Sequence, residues 1–565
     1  MMTTLIKQVT DEFLVSGQIS VEDLEHIAAR GVRSLICNRP DGEANDQPNV
    51  TEIEVAAERH GLQLAYLPVV AGQLTPADID KFLSCYERLP KPVQAYCRSG
   101  TRSITLWAMY QKRLGMPDSE ILALASDQGY DLSEALGGKG PPASSERPSG
   151  STHYDIVIVG GGAAGIAAAS SLLKRTRKLS IAIIDPAEVH YYQPGWTLVG
   201  AGVFKQQQTV KTMASLIPTG AAWIKAAVGV FEPEQNRVLL EDSRSIYYDQ
   251  LVVAPGIKLD WHAIEGLVDT LGQNGVTSNY RFDLAPYTWQ LVSQLKRGRA
   301  LFTQPPMPIK CAGAPQKAMY LSGDHWLRSG VLDDIEIRFH NAGAALFGVA
   351  DYVPALMDYV ERYKAQLNFG ERLVQVDGPG KTAGFEVTDE NGTTRLNEQS
   401  FDMMHVCPPQ TAPDFVRQSP LADAAGWVDV DQNTLQHKRW SNIWGLGDAM
   451  NAPNAKTAAA ARMQAPVVAN NLLHSVGLAD SLAHYNGYGS CPLTVERGKI
   501  VLAEFGYGGK LLPSFPRWII NGQKPSRLAW ILKEKVLPPV YWQAMLKGKE
   551  WMVEPTGTEN SRETA

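Results

Sequence analysis

Residues 154–175 read YDIVIVGGGAAGIAAASSLLKR. An apolar strand runs straight into Gly160, Gly162 and Gly165, the spacing GxGxxG, and an alanine-rich helix follows. In such a turn the first two glycines let the backbone bend tightly and bring its N–H groups up to a pyrophosphate at the helix N-terminus. The third lets helix and strand pack closely. A second strand, LSIAIID, ends at Asp185, about 20 residues past the last glycine, where a carboxylate can accept from both ribose hydroxyls. The four features together predict a nucleotide-binding βαβ unit; strand and helix patterns then alternate to about Leu473.

Outward from this unit, the 565 residues are too many for one core and suggest three to four units of roughly 150 residues. Hydrophobic residues make up 44% and charged residues 20%, which argues against disorder along most of the chain. A net charge of −6 lacks the basic field that meets phosphates, so nucleic acid is excluded as a partner. No basic-then-apolar leader opens the sequence and no apolar run reaches ~18 residues, so the expectation is a cytoplasmic protein with peripheral membrane contact only. The six cysteines (Cys37, Cys85, Cys97, Cys311, Cys407, Cys491) show neither CxxC pairs nor zinc spacing with histidine, so no metal site is expected. LGGKGPPASSERPSGST, rich in Gly, Pro and Ser, reads as a linker over 136–152. Before it, SLICN and VQAYC read as buried strands among helices, a small α/β domain over 1–135.

Two further strands end in small-residue turns, YDQLVVAPG (248–256) and NIWGLGDAM (442–450). With the first motif they resemble the flavoprotein disulfide-reductase superfamily. That resemblance implies FAD, with Asp448 of the Gly447-Asp448 pair on the ribityl chain. It also implies a helix beginning near Lys456 and Thr457 whose positive end faces the flavin pyrimidine. Gln193, Ala254 and Gly256 are carried over with the same cofactor. The separation of the motifs implies one FAD domain over 153–478, interrupted by a second Rossmann-like domain at about 258–400. No second strand-GxGxxG-helix is found. GPGKTAG (378–384) lies between two alternating strands and reads as a hairpin turn, so a nicotinamide acceptor is not expected.

In place of that motif stands PIKCAGAPQKAMYLSGDHWLR (308–328). KCAGAPQKAMYL closely resembles sulfide:quinone oxidoreductases of the mitochondrial type and, more loosely, flavocytochrome c sulfide dehydrogenases. The match runs on through HYYQPGWTLVGAG, LADAAGWVDVDQNTLQHKRW, AKTAAAA and GSCPL, nearly all of 153–550. The resemblance implies that sulfide is oxidised at Cys311 through a persulfide, that electrons pass by FAD to a quinone, and that a sulfane-sulfur acceptor takes the product. Lys310 or Lys317 would favour the thiolate. The resemblance also places a second redox cysteine directly after the Gly-Asp pair or one residue later, where this chain has Ala449 and Met450. Cys407, in HVCPPQ, is the replacement candidate, with a buried inert thiol as the other reading; Cys491 reads as structural.

The segment 479–565 carries Trp518, Trp530, Tyr541, Trp542 and Trp551 among lysines and arginines. It reads as an amphipathic interface or membrane contact, and an oligomer is possible. In the first domain, VQAYCRSGTRS sets Cys97 at a strand end, with four residues between it and Arg102, in front of a helix. Tyrosine phosphatases have five residues between these two. The four-residue form resembles the small bacterial phosphatase-like proteins described as sulfurtransferases, often fused to β-lactamase-like hydrolases. The whole is read as α/β: a tyrosine-phosphatase-like domain, then two Rossmann-like three-layer domains of the flavoprotein disulfide-reductase type, then an amphipathic segment. Its expected activity is sulfide oxidation with sulfur passed from Cys311 to Cys97. The alternatives are a phosphatase fused to another flavin-dependent reductase, and a flavin redox sensor.

Overall fold

SLICN and VQAYC, the two apolar runs read as buried strands, lie side by side in a five-stranded sheet ordered Ile6–Gln8, Phe13–Ser16, Val93–Tyr96, Ser34–Cys37, Gln63–Tyr66. All pairs are parallel except the first, and both central strands are buried along their length, which is why they carry no polar alternation. Phe13 stacks on Trp107 across one face, beside Phe82; Leu24, Leu35 and Ile53 fill the other. The computed structural model describes residues 6–43, 47–70, 74, 76–130, 132, 151–388 and 393–553. It divides into two units: 1–153 with 229–247 and 418–424, and 154–228 with 248–417 and 425–565. Of the stretch read as a linker, 136–150 lie outside the described residues.

In the second unit the strand Thr152–Val159 sits between Ile181–Ile184 and the strand ending at Val253, with Ile443–Gly445 beyond. Gly160, at φ +104°, is packed so tightly that a Cβ would meet the Ala254 carbonyl oxygen at 2.4 Å, and one at Gly165 would meet the Gly160 oxygen at 1.8 Å. No larger residue fits either place. The helix Ala163–Arg175 that this turn launches packs on the helix Ala458–Ser475.

The inserted sheet is parallel throughout, ordered Val276–Thr277, Met403–His405, Gly298–Gln304, Ile335–Asn341, Gln366–Phe369. GPGKTAG turns between antiparallel strands Glu371–Asp377 and Thr382–Thr388, a hairpin and not a phosphate loop. A second hairpin, Gly489–Glu496 with Lys499–Phe505, packs its first strand on the helix Ala314–Arg328. The chain is thus α/β with two Rossmann-like sheets in the second unit.

The C-terminal segment divides its large apolar residues between the body of the fold and the surface. Trp530, Tyr541 and Trp542 are buried at 8%, 5% and 6% exposure, whereas Trp518 stands 85% exposed. Tyr541 Oη lies 2.6 Å from His190 Nε2 and its ring packs on Tyr192. Burial on the body of the fold accounts for Trp530, Tyr541 and Trp542, whereas Trp518, Trp551, Leu528, Ile531 and Val536 face outward. Among the described residues, no helix is long and apolar enough to cross a membrane.

Candidate active site

The helix Ala314–Arg328 begins three residues after Cys311, and Cys311 itself is held at φ +82°. That is the left-handed region, costly for a residue with a Cβ, and such backbone persists where the surroundings enforce it. The turn aims the sulfur back over the first helical turn, where Lys317 Nζ lies 3.2 Å from Cys311 Sγ. The packed hairpin brings Cys491 Sγ to 3.7 Å from the same sulfur. The sulfur beside Cys311 is therefore that of Cys491, which the sequence reading took as structural. Inward-facing alternation along Gly489–Glu496 is the one local signal of it, and it does not say which thiol Cys491 meets.

The hydrogen bond with Cys491 does most to hold the Cys311 thiol well below its usual range; burial opposes it, and Lys317 and Lys533 add to it. The same hydrogen bond pushes Cys491 up, aided by burial. The pair is thus a Cys311 thiolate accepting from a Cys491 S–H. Burial works against a charge on Lys317, but the two sulfurs outweigh it and hold the ammonium above its ordinary range. Lys533, from the C-terminal segment, is buried with Nζ 3.2 Å from the Pro194 oxygen. Burial and the charge of Lys317 bring it down to about 8.

Cys407 sits in the same apolar cluster, among Tyr280, Ile309 and Ala314. Burial pushes its thiol up to about 12, and Gln410 Nε2 lies 3.7 Å from its sulfur. A thiol kept protonated is a poor nucleophile, and the geometry gives no pairing of Cys407 with Cys311. Ala449 and Met450 are fully buried.

Lys310 and Lys456 pair as an isolated β-bridge, which sets the Cys311 turn beside the Gly447-Asp448 turn. Lys456 Nζ donates to the Asp448 and Met450 carbonyl oxygens, both at 2.8 Å, so this lysine fastens the turn. Gln464 Oε1 accepts from Gly447 N–H at 2.8 Å. Thr457 caps the helix Ala458–Ser475, its hydroxyl accepting from Ala460 N–H. The Asp448 carboxyl is raised by burial, with Lys456 and Lys310 opposing. Lys310 Nζ donates to Gln193 Oε1 at 2.7 Å.

In the glycine-rich turn, Asp185 accepts from Gly161 N–H at 2.6 Å and from Ala187 N–H at 2.8 Å. Ala254 N–H donates to the Val159 oxygen, and Gly256 turns the chain at φ +79°. A Cβ built on Gly162 meets nothing within 4 Å: this face of the turn is open, as a cradle for a pyrophosphate requires.

In the first unit Cys97 ends the strand Val93–Tyr96, and Gly100 N–H donates to its sulfur at 3.2 Å. Gly100, at φ +90°, caps the helix Thr101–Arg113. Arg102 Nη1 and Nη2 each donate to Glu43 at 2.8 Å, and Nη1 also to the Val69 oxygen at 2.7 Å. Glu43 was not among the sequence candidates, because its role depends on a contact 59 residues away.

Among known proteins, residues 5–113 match the phosphatase-like domain of the beta-lactamase hydrolase-like proteins, and residues 154–292 match the pyridine nucleotide-disulphide oxidoreductases. The chain is 44% identical over 380 residues to the mitochondrial sulfide:quinone oxidoreductase of Dictyostelium discoideum, covering 66% of this chain and 82% of that one. It is 35% identical over 132 residues to the beta-lactamase hydrolase-like protein of Xylella fastidiosa, covering 23% of this chain and 31% of that relative. The solved sulfide:quinone oxidoreductase of Aquifex aeolicus shares the fold, with a TM-score of 0.59 at 18% identity over 71% of this chain and 92% of that one.

Proposed function

The chain belongs to the sulfide:quinone oxidoreductase family, and on that footing we propose that it oxidises sulfide at the Cys311–Cys491 pair, delivers electrons through FAD to a quinone, and releases sulfane sulfur, some of it to Cys97. The observation that carries this reading is the Cys311 sulfur, 3.7 Å from Cys491 and 3.2 Å from the Lys317 ammonium, on a turn bridged at Lys310 to Lys456, whose side chain fastens the Gly447-Asp448 turn.

FAD is the cofactor of this family, and the residues fit it. Gly160, Gly162 and Gly165 shape the pyrophosphate turn, Asp185 retains acceptor capacity for a ribose, and the half-buried Asp448 carboxylate can accept from hydroxyls of the ribityl chain. The N-terminus of the helix Ala458–Ser475 supplies positive potential. When bound, FAD supplies a two-electron acceptor. The chain's own residues prepare the sulfur. In the oxidised state hydrosulfide attacks a Cys311–Cys491 disulfide: one new S–S bond forms, the old one breaks, and the products are one cysteine persulfide and one thiolate. Lys317, charged and buried, stabilises the anionic sulfur at each stage. Cys491 holds a proton on the thiol and passes it along the 3.7 Å contact.

A sulfur role for Cys97 rests on the carboxylates near its loop. Phosphate-ester cleavage needs a proton donor for the leaving alkoxide, yet Glu43 is held below its usual range: burial would raise it, but hydrogen bonds from Arg102 and Arg39 prevail. Among the described residues Glu43 is the carboxylate that the arginine of this loop grips. A thiolate leaves without such a donor. Peripheral association with a membrane face, cytoplasmic in a bacterium, and exchange with a membrane quinone complete the proposal; their support is the exposed apolar set at Trp518, Leu528 and Ile531.

The test is anaerobic titration of the purified flavoprotein with sulfide, with and without a ubiquinone analogue. Sulfide should bleach the flavin spectrum and quinone restore it. Cys311→Ser and Cys491→Ser should block the cycle, whereas Cys407→Ser should stay within about twofold of wild type, as expected for a thiol that does not ionise. Full-rate cycling in Cys311→Ser would overturn the reading.

A further inference from the structure

Arg102 is the cation of the Cys97 loop, and most of its donors are already spent. A guanidinium has five N–H groups in a fixed plane. Both on Nη1 go to Glu43 Oε1 and the Val69 oxygen, and one on Nη2 goes to Glu43 Oε2. What is left is a single edge, Nε–H with the second Nη2–H, and the Cys97 sulfur lies within electrostatic reach of this guanidinium. Glu43 is gripped in turn: Arg39 Nε donates to Oε2 at 2.8 Å, and Arg39 Nη1 to Gln18 Oε1 at 3.0 Å. The side chains of Arg39 and Arg102 are 6% and 13% exposed. Two guanidiniums against one carboxylate leave the loop cationic.

We propose that Glu43 is a positioning residue for the Cys97 site: it clamps the outer edge of Arg102 so that the inner edge presents two parallel donors to an anion seated over the Cys97 sulfur. The inference deepens the sulfur-transfer reading of this loop and rests on it. A free arginine side chain has many rotamers to lose on binding a ligand. Clamping by Glu43 removes that cost before the anion arrives. Removing Glu43 would therefore weaken anion capture even though it removes a negative charge, whereas a carboxylate that only neutralised Arg102 would do the reverse.

The sign of the effect makes the test. In the full-length protein, Cys97 is alkylated with iodoacetate, an anion with two oxygens, and with neutral iodoacetamide, and each rate is read by mass spectrometry of the Cys97 peptide. Wild type should favour iodoacetate by about tenfold, the worth of one well-made charged contact. Glu43→Ala should abolish that preference and leave the iodoacetamide rate within about twofold. Glu43→Asp, which keeps the charge, should restore part of it. Isosteric Glu43→Gln, which keeps the packing, should fall between wild type and Glu43→Ala. A preference that rises or is unchanged in Glu43→Ala overturns the proposal, as does equal slowing with both reagents, which would mark a merely structural role. Separately, absence of sulfane sulfur on Cys97 after sulfide turnover in wild type would sink the sulfur-transfer reading whatever the alkylation ratios.

Discussion

Cys311 carries three separate devices: left-handed backbone at φ +82°, a thiol donor at 3.7 Å and an ammonium at 3.2 Å. Removing the ammonium should let the thiol drift back toward its ordinary range, since an opposite charge at this separation is worth about one to three pKa units. In Lys317→Met the pH for half-maximal alkylation of Cys311 should move upward, and sulfide-driven flavin reduction at pH 7 should fall roughly tenfold or more. Lys533 sets the alkaline side. With its ammonium held down to about 8, it loses its proton as pH rises from 7 to 9, and a positive charge facing both sulfurs goes with it. Wild-type reduction should therefore slow across that interval, and Lys533→Met, already lacking the charge, should be slower at pH 7 but flat. A wild-type profile that stays level to pH 9 would count against this role. Cys311 was legible through the resemblance carried by KCAGAPQKAMYL, and Lys317 only as one of two neighbouring lysines; the fold separates them, sending Lys310 to Gln193 and Lys317 to the sulfur. Cys491 was not, because its contact spans 180 residues and is made by a hairpin docking on a helix, which no local pattern encodes.

Among elements, those with a backbone reason for their residues were the easiest to read. The turn at Gly160–Gly165 admits no side chain at its two crowded points, and the hairpin at 378–384 declared itself by alternation on both sides. In the C-terminal segment composition alone does not distinguish an aromatic residue that faces outward from one that fills a joint. Tyr541 and Trp542 fill a joint against His190 and Tyr192, while Leu528 and Ile531, one helical turn apart in Arg527–Ile531, remain half exposed. The two groups should separate under mutation. Leu528→Glu with Ile531→Glu should reduce binding to vesicles of mixed neutral and anionic phospholipid and raise the KM for a membrane quinone, with melting unchanged within about 0.5 kcal/mol. Tyr541→Ala should instead cost about 3 kcal/mol by cavity formation and loss of the His190 contact. Vesicle binding that survives the double charge substitution would rule out this face as the membrane contact.

For the whole molecule the question is whether sulfur formed at Cys311 reaches Cys97 within one chain. Two thiols in one chain meet at an effective concentration set by their connection, in the millimolar range for short linkers, far above the micromolar concentration of an enzyme in solution. Connectivity can be tested without cutting the chain. Full-length Cys97→Ser keeps the sulfur-forming site, and full-length Cys311→Ser keeps the receiving one. Mixed, they can complete the transfer only between molecules. Wild-type loading of Cys97 with sulfane sulfur during sulfide turnover should be independent of protein concentration when read per molecule by mass spectrometry. The mixture should load Cys97 in proportion to concentration and fall below wild type by roughly the ratio of effective to actual concentration, on the order of a hundredfold at ten micromolar. Adding a small thiol as carrier should bring the two together if the route runs through solution. Equal loading in wild type and mixture without any carrier would mean that fusion contributes nothing to transfer, and the joining of these two units in one chain would then need another physical reason.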